Sequence, residues 1–325
     1  MILVIFIVSL ATILITNLAY STHLRMRTSQ YTSNSLQAEY LLKSLTNFAR
    51  LLIQADQSQT ASKKTPWGLF ADGRAVPPEL LDIKTPNINL AIEIQPQNAK
   101  LPINLVMTKS QAGKVDHRRI FVRLFKLLGF DNDQEEDQTG FFPKRVFSPE
   151  EMVANLIDYM DTDKQSYNAA DFASGIESEL PEDYFPGSRI TRFKELEKIP
   201  GFTPARLRKL QPLVTTDPNS YQININLAPK IVLQALHDDI SAEDAQGIVD
   251  FRNSDNGPFN INVSTQLATL LDQSVVDSIQ SLLTGYSKNF QVLTKVEYGT
   301  STYFMRTTLS RSGSELPRIT SLELF

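Results

Sequence analysis

The 325-residue chain carries 32 Lys and Arg against 36 Asp and Glu, and its formal net charge of −4 supplies no global basic field for gripping nucleic acid. Hydrophobic residues at 42% and charged residues at 21% are ordinary globular values, and the length accommodates roughly two domains. No cysteine is present, which excludes disulfides, thiolate-bound zinc, iron–sulfur centres and a thiol nucleophile.

The chain opens MILVIFIVSLATILITNLAY, and no charge appears before Arg25. About 20 apolar residues, rising about 1.5 Å each in a helix, cross the roughly 30 Å hydrocarbon core of a bilayer. Residues 1–22 therefore predict a transmembrane segment, with Ile2, Leu3, Val4, Ile5, Phe6, Ile7, Val8 and Leu10 facing lipid. The run lacks the charged flank and small-residue cleavage site of a secretory signal, so the expectation is a signal-anchor or an N-terminus exposed by processing at Met1. Residues 21–56 contain neither Gly nor Pro. Leu24, Tyr31, Leu41, Leu45, Phe48 and Leu52 recur at helical spacings with charged residues between them, which predicts one helix over about 1–56 whose second half is amphipathic.

Beyond a polar loop containing Trp67, NINLAIEIQPQNAKLPINLV reads as two short strands around Pro96 and Asn98. Residues 109–285 are helical in pattern. HRRIFVRLFKLLGF ends in a Gly suited to a helix C-terminus, and SPEEMVANLIDYM offers Ser148 as N-cap, Pro149 at the first helical position and Glu151 three residues on. The last forty residues return to β-rich runs separated by Gly-containing turns, as in an antiparallel meander. The predicted class is α+β, with a helical block inserted between strands. Its parts are a membrane segment over 1–22, an amphipathic helix and the first part of the sheet domain over 23–108, the insertion over 109–285, and closing strands over 286–325.

Two segments of the block, RFKELEKIPGFTPARLRKLQPLVT and NINLAPKIVLQALHDDISAEDAQGIVDFRNSDNGPF, resemble helix-hairpin-helix units, which bind DNA phosphates through backbone N–H groups of a Gly turn. This supports a rival reading, a membrane-anchored DNA-binding protein of the DNA-uptake type. Only the first unit keeps the Gly, with Arg206, Arg208 and Lys209 nearby. The second carries Asp238, Asp239, Glu243 and Asp244, which repel a phosphate, and the expectation is a packing role without nucleic acid.

No enzyme signature is present. His23, His117 and His237 stand in no metal-ligand spacing, and GxSxG, HExxH and glycine-rich phosphate loops are absent. What remains is the acidic stretch NLIDYMDTDKQSYNAADFASGIESELPEDYF, residues 155–185. Against the EF-hand template from Asp161, Asp163 fits, but Gln165, Ser166 and Phe172 stand at the third ligand, the Gly and the bidentate Glu. A cation site of another kind and a solvated loop both stay open. The second acidic run, DNDQEED at 131–137, lacks a turn signature and reads as a solvent loop.

Taken in order, the uncharged opening helix, LPINL, ININLAPKIVLQAL, IDYMDTD with IESELPEDYF, ELEKIPGF and DFRNSDNGPF resemble the K subunits of the general secretion pathway, the large minor pseudopilins of type II secretion. The resemblance spans nearly the whole chain. It implies a pilin-like long N-terminal helix packed on an antiparallel sheet, with a large mostly α-helical domain inserted between strands. It also implies a non-enzymatic role in which the subunit joins the I and J minor pseudopilins, primes and caps the pseudopilus tip, and supports export of folded proteins. The implied location is the bacterial inner membrane, single-pass, with the body in the periplasm. Further implied partners are the major pseudopilin filament, the inner-membrane assembly platform, membrane lipid and the prepilin peptidase, which would leave Met1 as the processed and methylated N-terminus. Most pseudopilins place Glu at the fifth mature position. Ile5 stands there in this chain, as is usual for K subunits. Finally, the resemblance implies structural calcium, with no catalytic cofactor, on Asp161, Asp163, Asp171, Glu177 and Glu179, extended by Glu182 and Asp183. The family's WxDxD run here has Tyr159 in place of the Trp.

Overall fold

The computed structural model describes residues 1–56, 58, 60–83, 88–217, 220–260, 262–299 and 301–325. Two compact units are present, one formed by Met1–Ala55, Phe70–Ile94 and Gln291–Phe325, the other by Asp56–Leu69 and Gln95–Phe290.

The first unit is built on helix α1, Ile2–Ala55. Its N-terminal part is exposed throughout and is long and apolar enough to cross a membrane. Farther along, Ala38, Leu42, Leu45, Thr46, Ala49 and Ile53 are buried at three- and four-residue spacings. Leu24 and Tyr31, read from periodicity as members of the packed face, are exposed, because burial of the helix begins only at Ala38. Its sheet has the order β1 (Arg74–Ala75), β2 (Ile88–Pro96), β7 (Asn289–Tyr298), β8 (Ser301–Ser310) and β9 (Arg318–Leu324). β1 and β2 pair antiparallel, as do β8 and β9, where Thr307 faces Leu322. Alternation along β2 buries Leu90, Ile92 and Ile94, and β8 contributes Met305 and Leu309 to the same core. The turn before β9 is tied to α1 by Arg50 Nε, donating to the Pro317 carbonyl at 2.8 Å, and by Gln54, donating to Ser314 O at 3.1 Å.

β2 ends at Pro96 and its sheet neighbour β7 begins at Asn289, so the intervening chain is an insertion between adjacent strands. The second unit reaches beyond 109–285 and takes in 95–108 and 56–69. In the latter segment the indole of Trp67 donates to Asp56 Oδ2 at 2.8 Å and stacks edge-on against Phe290. The unit contains two short parallel pairs, β3 (Leu101–Pro102) with β4 (Val214–Thr215) and β5 (Ile223–Asn224) with β6 (Leu283–Thr284). Its helices are α2 (His117–Leu127), α3 (Pro149–Met160), α4 (Pro204–Leu210), α5 (Lys230–Ala235), α6 (Ala242–Asn253), α7 (Val263–Leu267) and α8 (Gln273–Ile279). The second strand read in LPINLV is only two residues long and passes into a helical turn at Ile103–Met107. There the Asn104 side chain turns inward and exchanges both hydrogen bonds with the Ile190 backbone, doing for that segment what a strand neighbour would.

Helix α3 starts as its sequence dictates. Ser148 accepts the Glu151 N–H, Glu151 accepts the Ser148 N–H in return, and Pro149 occupies the first helical position, where a missing N–H costs nothing. Every residue from Met152 to Met160 is buried, including the polar Asn155 and Asp158.

Candidate metal centre

Asp161 is the C-cap of α3, so the helix delivers its carboxylate directly to the loop that follows. Asp163 lies two residues on, and Glu177 opens a single helical turn, Glu177–Glu179, where the loop returns. One carboxylate oxygen of each of these three lies within 4.8 Å of the others, and among the described residues this is the one group of three or more ligand-type side chains. Asp163 is exposed, while Asp161 and Glu177 are partly buried. Asp163, Glu177, Lys164 and Tyr184 are among the residues lining a concavity of about 450 Å³.

The electrostatics are strained. Burial first, then the charges of Asp163, Asp158 and Glu177, push the Asp161 carboxyl up to about 7. Burial, with Asp158 and Asp163, also raises Glu177. Asp161 Oδ1 and Glu177 Oε2 are sealed from solvent with no hydrogen-bond partner, although an orphaned buried acceptor costs about 1–3 kcal/mol. A hard divalent cation supplies what both oxygens lack, a positive partner and a release from mutual repulsion. An all-oxygen donor set without His or Cys suits calcium, whose six to eight ligands would be completed by carbonyls and water. The residues present fit the ion.

Asp171 and Glu179 lie outside this trio. Asp171 is 60% exposed and faces Arg118 at 3.6 Å and Arg119 at 3.9 Å, and Glu179 is 55% exposed and faces Arg145 at 3.8 Å. Glu182 and Asp183 are exposed and pair with Lys164. Sequence reasoning also passed over Asp158, fully buried beneath the loop. Its signal was an ionisable residue inside the apolar run of α3.

Residues 99–219 match a sequence profile described as "Type II secretion system (T2SS), protein K", and residues 223–283 match a second profile of that description, together more than half of the chain. The chain belongs to the protein K family of type II secretion. No curated protein matches it in sequence. Among solved structures it is similar to a chain of the crystal structure of the GspK-GspI-GspJ complex from the enterotoxigenic Escherichia coli type 2 secretion system. That likeness has a TM-score of 0.65 at 16% identity, covers 93% of this chain and 99% of that one, and supports the α+β fold.

The hairpins of this protein K chain carry the second chemical candidate. In the first, Gly201 forms the turn ahead of α4, and its N–H donates to Asp137 Oδ1 at 3.1 Å. The Thr203 hydroxyl donates to Glu135 at 3.1 Å. Arg206 is only 1% exposed, and its guanidinium donates to the carbonyls of Phe130, Phe147 and Gly201 and pairs with Asp133. The run 131–137, expected to be a solvent loop, is therefore in part internal. Asp133, Glu135 and Asp137 turn toward the hairpin because it offers donors that burial would leave unpaired. The N–H that would meet a DNA phosphate already has an anionic partner from its own chain. In the second hairpin, between α5 and α6, Asp238 pairs with Arg123 at 3.0 Å, and Arg123 also caps α5 through the Ala235 and Leu236 carbonyls.

Proposed function

We propose that this protein is the minor pseudopilin that sits at the tip of the type II secretion pseudopilus, in a complex with the I and J minor pseudopilins. The observation that carries the reading is the placement of a large helical unit between the adjacent strands β2 and β7 of a small sheet mounted on a long apolar helix. The lipid-soluble part of α1 anchors the subunit in the inner membrane, with its body in the periplasm, until it is extracted into a bundle of partner helices. No carboxylate precedes Glu39 in α1, so the helix offers nothing to neutralise the N-terminal amine of a subunit packed before it. The inserted unit blocks addition of further subunits by its bulk. Maturation by the prepilin peptidase and contacts with the assembly platform and major filament complete the reading.

Calcium is part of the proposal. Held by Asp161, Asp163 and Glu177, it would offset the mutual repulsion of those carboxylates, and its role is structural. The role of the whole protein is tested by purifying the full chain from membranes in detergent: two small pilin-like partners co-purify in fixed ratio, and recovery of the chain alone from cells that make both overturns the reading.

A further inference from the structure

Asp158 is fully buried two residues before the end of α3. Its Oδ1 accepts the Tyr167 N–H at 2.6 Å, and its Oδ2 accepts the N–H groups of Ile176 at 2.6 Å and Glu177 at 2.8 Å. A single side chain thus holds both the outgoing and the returning limb of the 161–177 loop. The returning limb passes close: a Cβ at Gly175 would overlap the Asp158 carboxylate, so a larger residue there would push that carboxylate off its donors. Around this anchor the limbs also meet each other, through Gly175 N–H to Tyr167 O at 2.8 Å and Ser178 N–H to Ser166 Oγ at 2.9 Å. None of these bonds involves a cation.

We propose that Asp158 is the positioning residue of the acidic centre, closing the loop before any ion arrives and holding Glu177 across from Asp161 and Asp163. The purpose of the loop rests on the calcium reading, whereas its closure by Asp158 does not. Charged acceptors make the stronger hydrogen bonds, and three backbone donors on one buried carboxylate leave the limbs little freedom to separate. An ion entering such a centre meets ligands already converged, so ordering entropy that would weaken its binding is spent at folding.

The test uses the full chain in detergent, with hydrogen exchange in EDTA and in calcium chloride, and calcium titration by calorimetry. The expected result is that the amides of Tyr167, Ile176 and Glu177 are protected in EDTA. Asp158→Asn, which turns an amide donor toward backbone donors, loses that protection and binds calcium about 10- to 100-fold more weakly. Asp171→Asn, at the exposed rim, changes neither. Amides that become protected only when calcium is added show that the ion closes the loop and overturn the inference, as does wild-type calcium affinity in Asp158→Asn. If that variant does not fold, the EDTA exchange of the unaltered chain still decides. Protected amides in a chain that binds no calcium support the closure by Asp158 and sink the calcium reading, so the two fail separately.

Discussion

Asp137 Oδ1 receives the N–H of Gly201 at 3.1 Å, which places a carboxylate where a helix-hairpin-helix turn would receive a phosphate. The same Asp137 also accepts the N–H of Thr139 at 3.1 Å through its other oxygen, so one buried side chain joins the 131–139 loop to the first hairpin. Asp137→Ala leaves the Gly201 N–H buried without its partner and is expected to cost about 1–3 kcal/mol of stability, read from denaturant unfolding. Gly201→Ala is expected to cost at least as much. Its φ is +94°, and a Cβ would stand 2.9 Å from Met152 Cγ and Phe147 Cβ.

Arg206 gives a sharper test of the same packing. Its guanidinium is held by three carbonyls and Asp133 in a nearly sealed position. Arg206→Met strands the Asp133 carboxylate and the carbonyls together, and a loss of about 3–5 kcal/mol is expected. If Arg206 were instead a DNA-contacting residue, the variant would fold normally and lose salt-sensitive binding to duplex DNA. We expect no such binding by the unaltered chain at about 50 mM salt.

Calcium should act in a pH-dependent way, and the sign follows from Asp161. Its carboxyl is raised from an ordinary 3.8 to about 7 in the folded, ion-free chain. Below the lower value both folded and unfolded forms carry the proton. Between the two values the unfolded form has lost its proton and the folded form retains it, so ion-free stability falls as pH rises and levels off above about 7. Calcium needs the ionised group and competes with that proton. The rise in Tm on adding millimolar calcium is therefore expected to be larger at about pH 8 than at about pH 5.5. An equal shift at both, or none, contradicts the site.

The ligand set makes its own prediction. Asp161→Asn, Asp163→Asn and Glu177→Gln should each weaken calcium binding by tenfold or more, whereas Asp171→Asn and Glu179→Gln should leave it within about twofold, because their carboxylates face arginines. Titration calorimetry on the five variants separates the two groups.

Locally encoded features were legible in the sequence. The uncharged opening run sufficed for a membrane-length helix, and Ser148, Pro149 and Glu151 encode their helix start within four residues. The closing strands appear where alternation and Gly turns put them. Features set by distant partners were hidden. Asp171 and Glu179 carry the same charge as Asp161 and Asp163, and only the fold shows that Arg118 and Arg145 face them. The run 131–137 looked solvated because Gly201 and Arg206, which draw it inward, lie more than sixty positions away. The packed face of α1 was misread at Leu24 and Tyr31 since periodicity gives an apolar stripe without saying where the sheet begins to cover it.

The measurement that bears most directly on the proposed role is the position of this chain in isolated pseudopili, read by labelling or electron cryomicroscopy. The tip assignment predicts one copy at one end of each filament. Copies repeated along the filament body would contradict it.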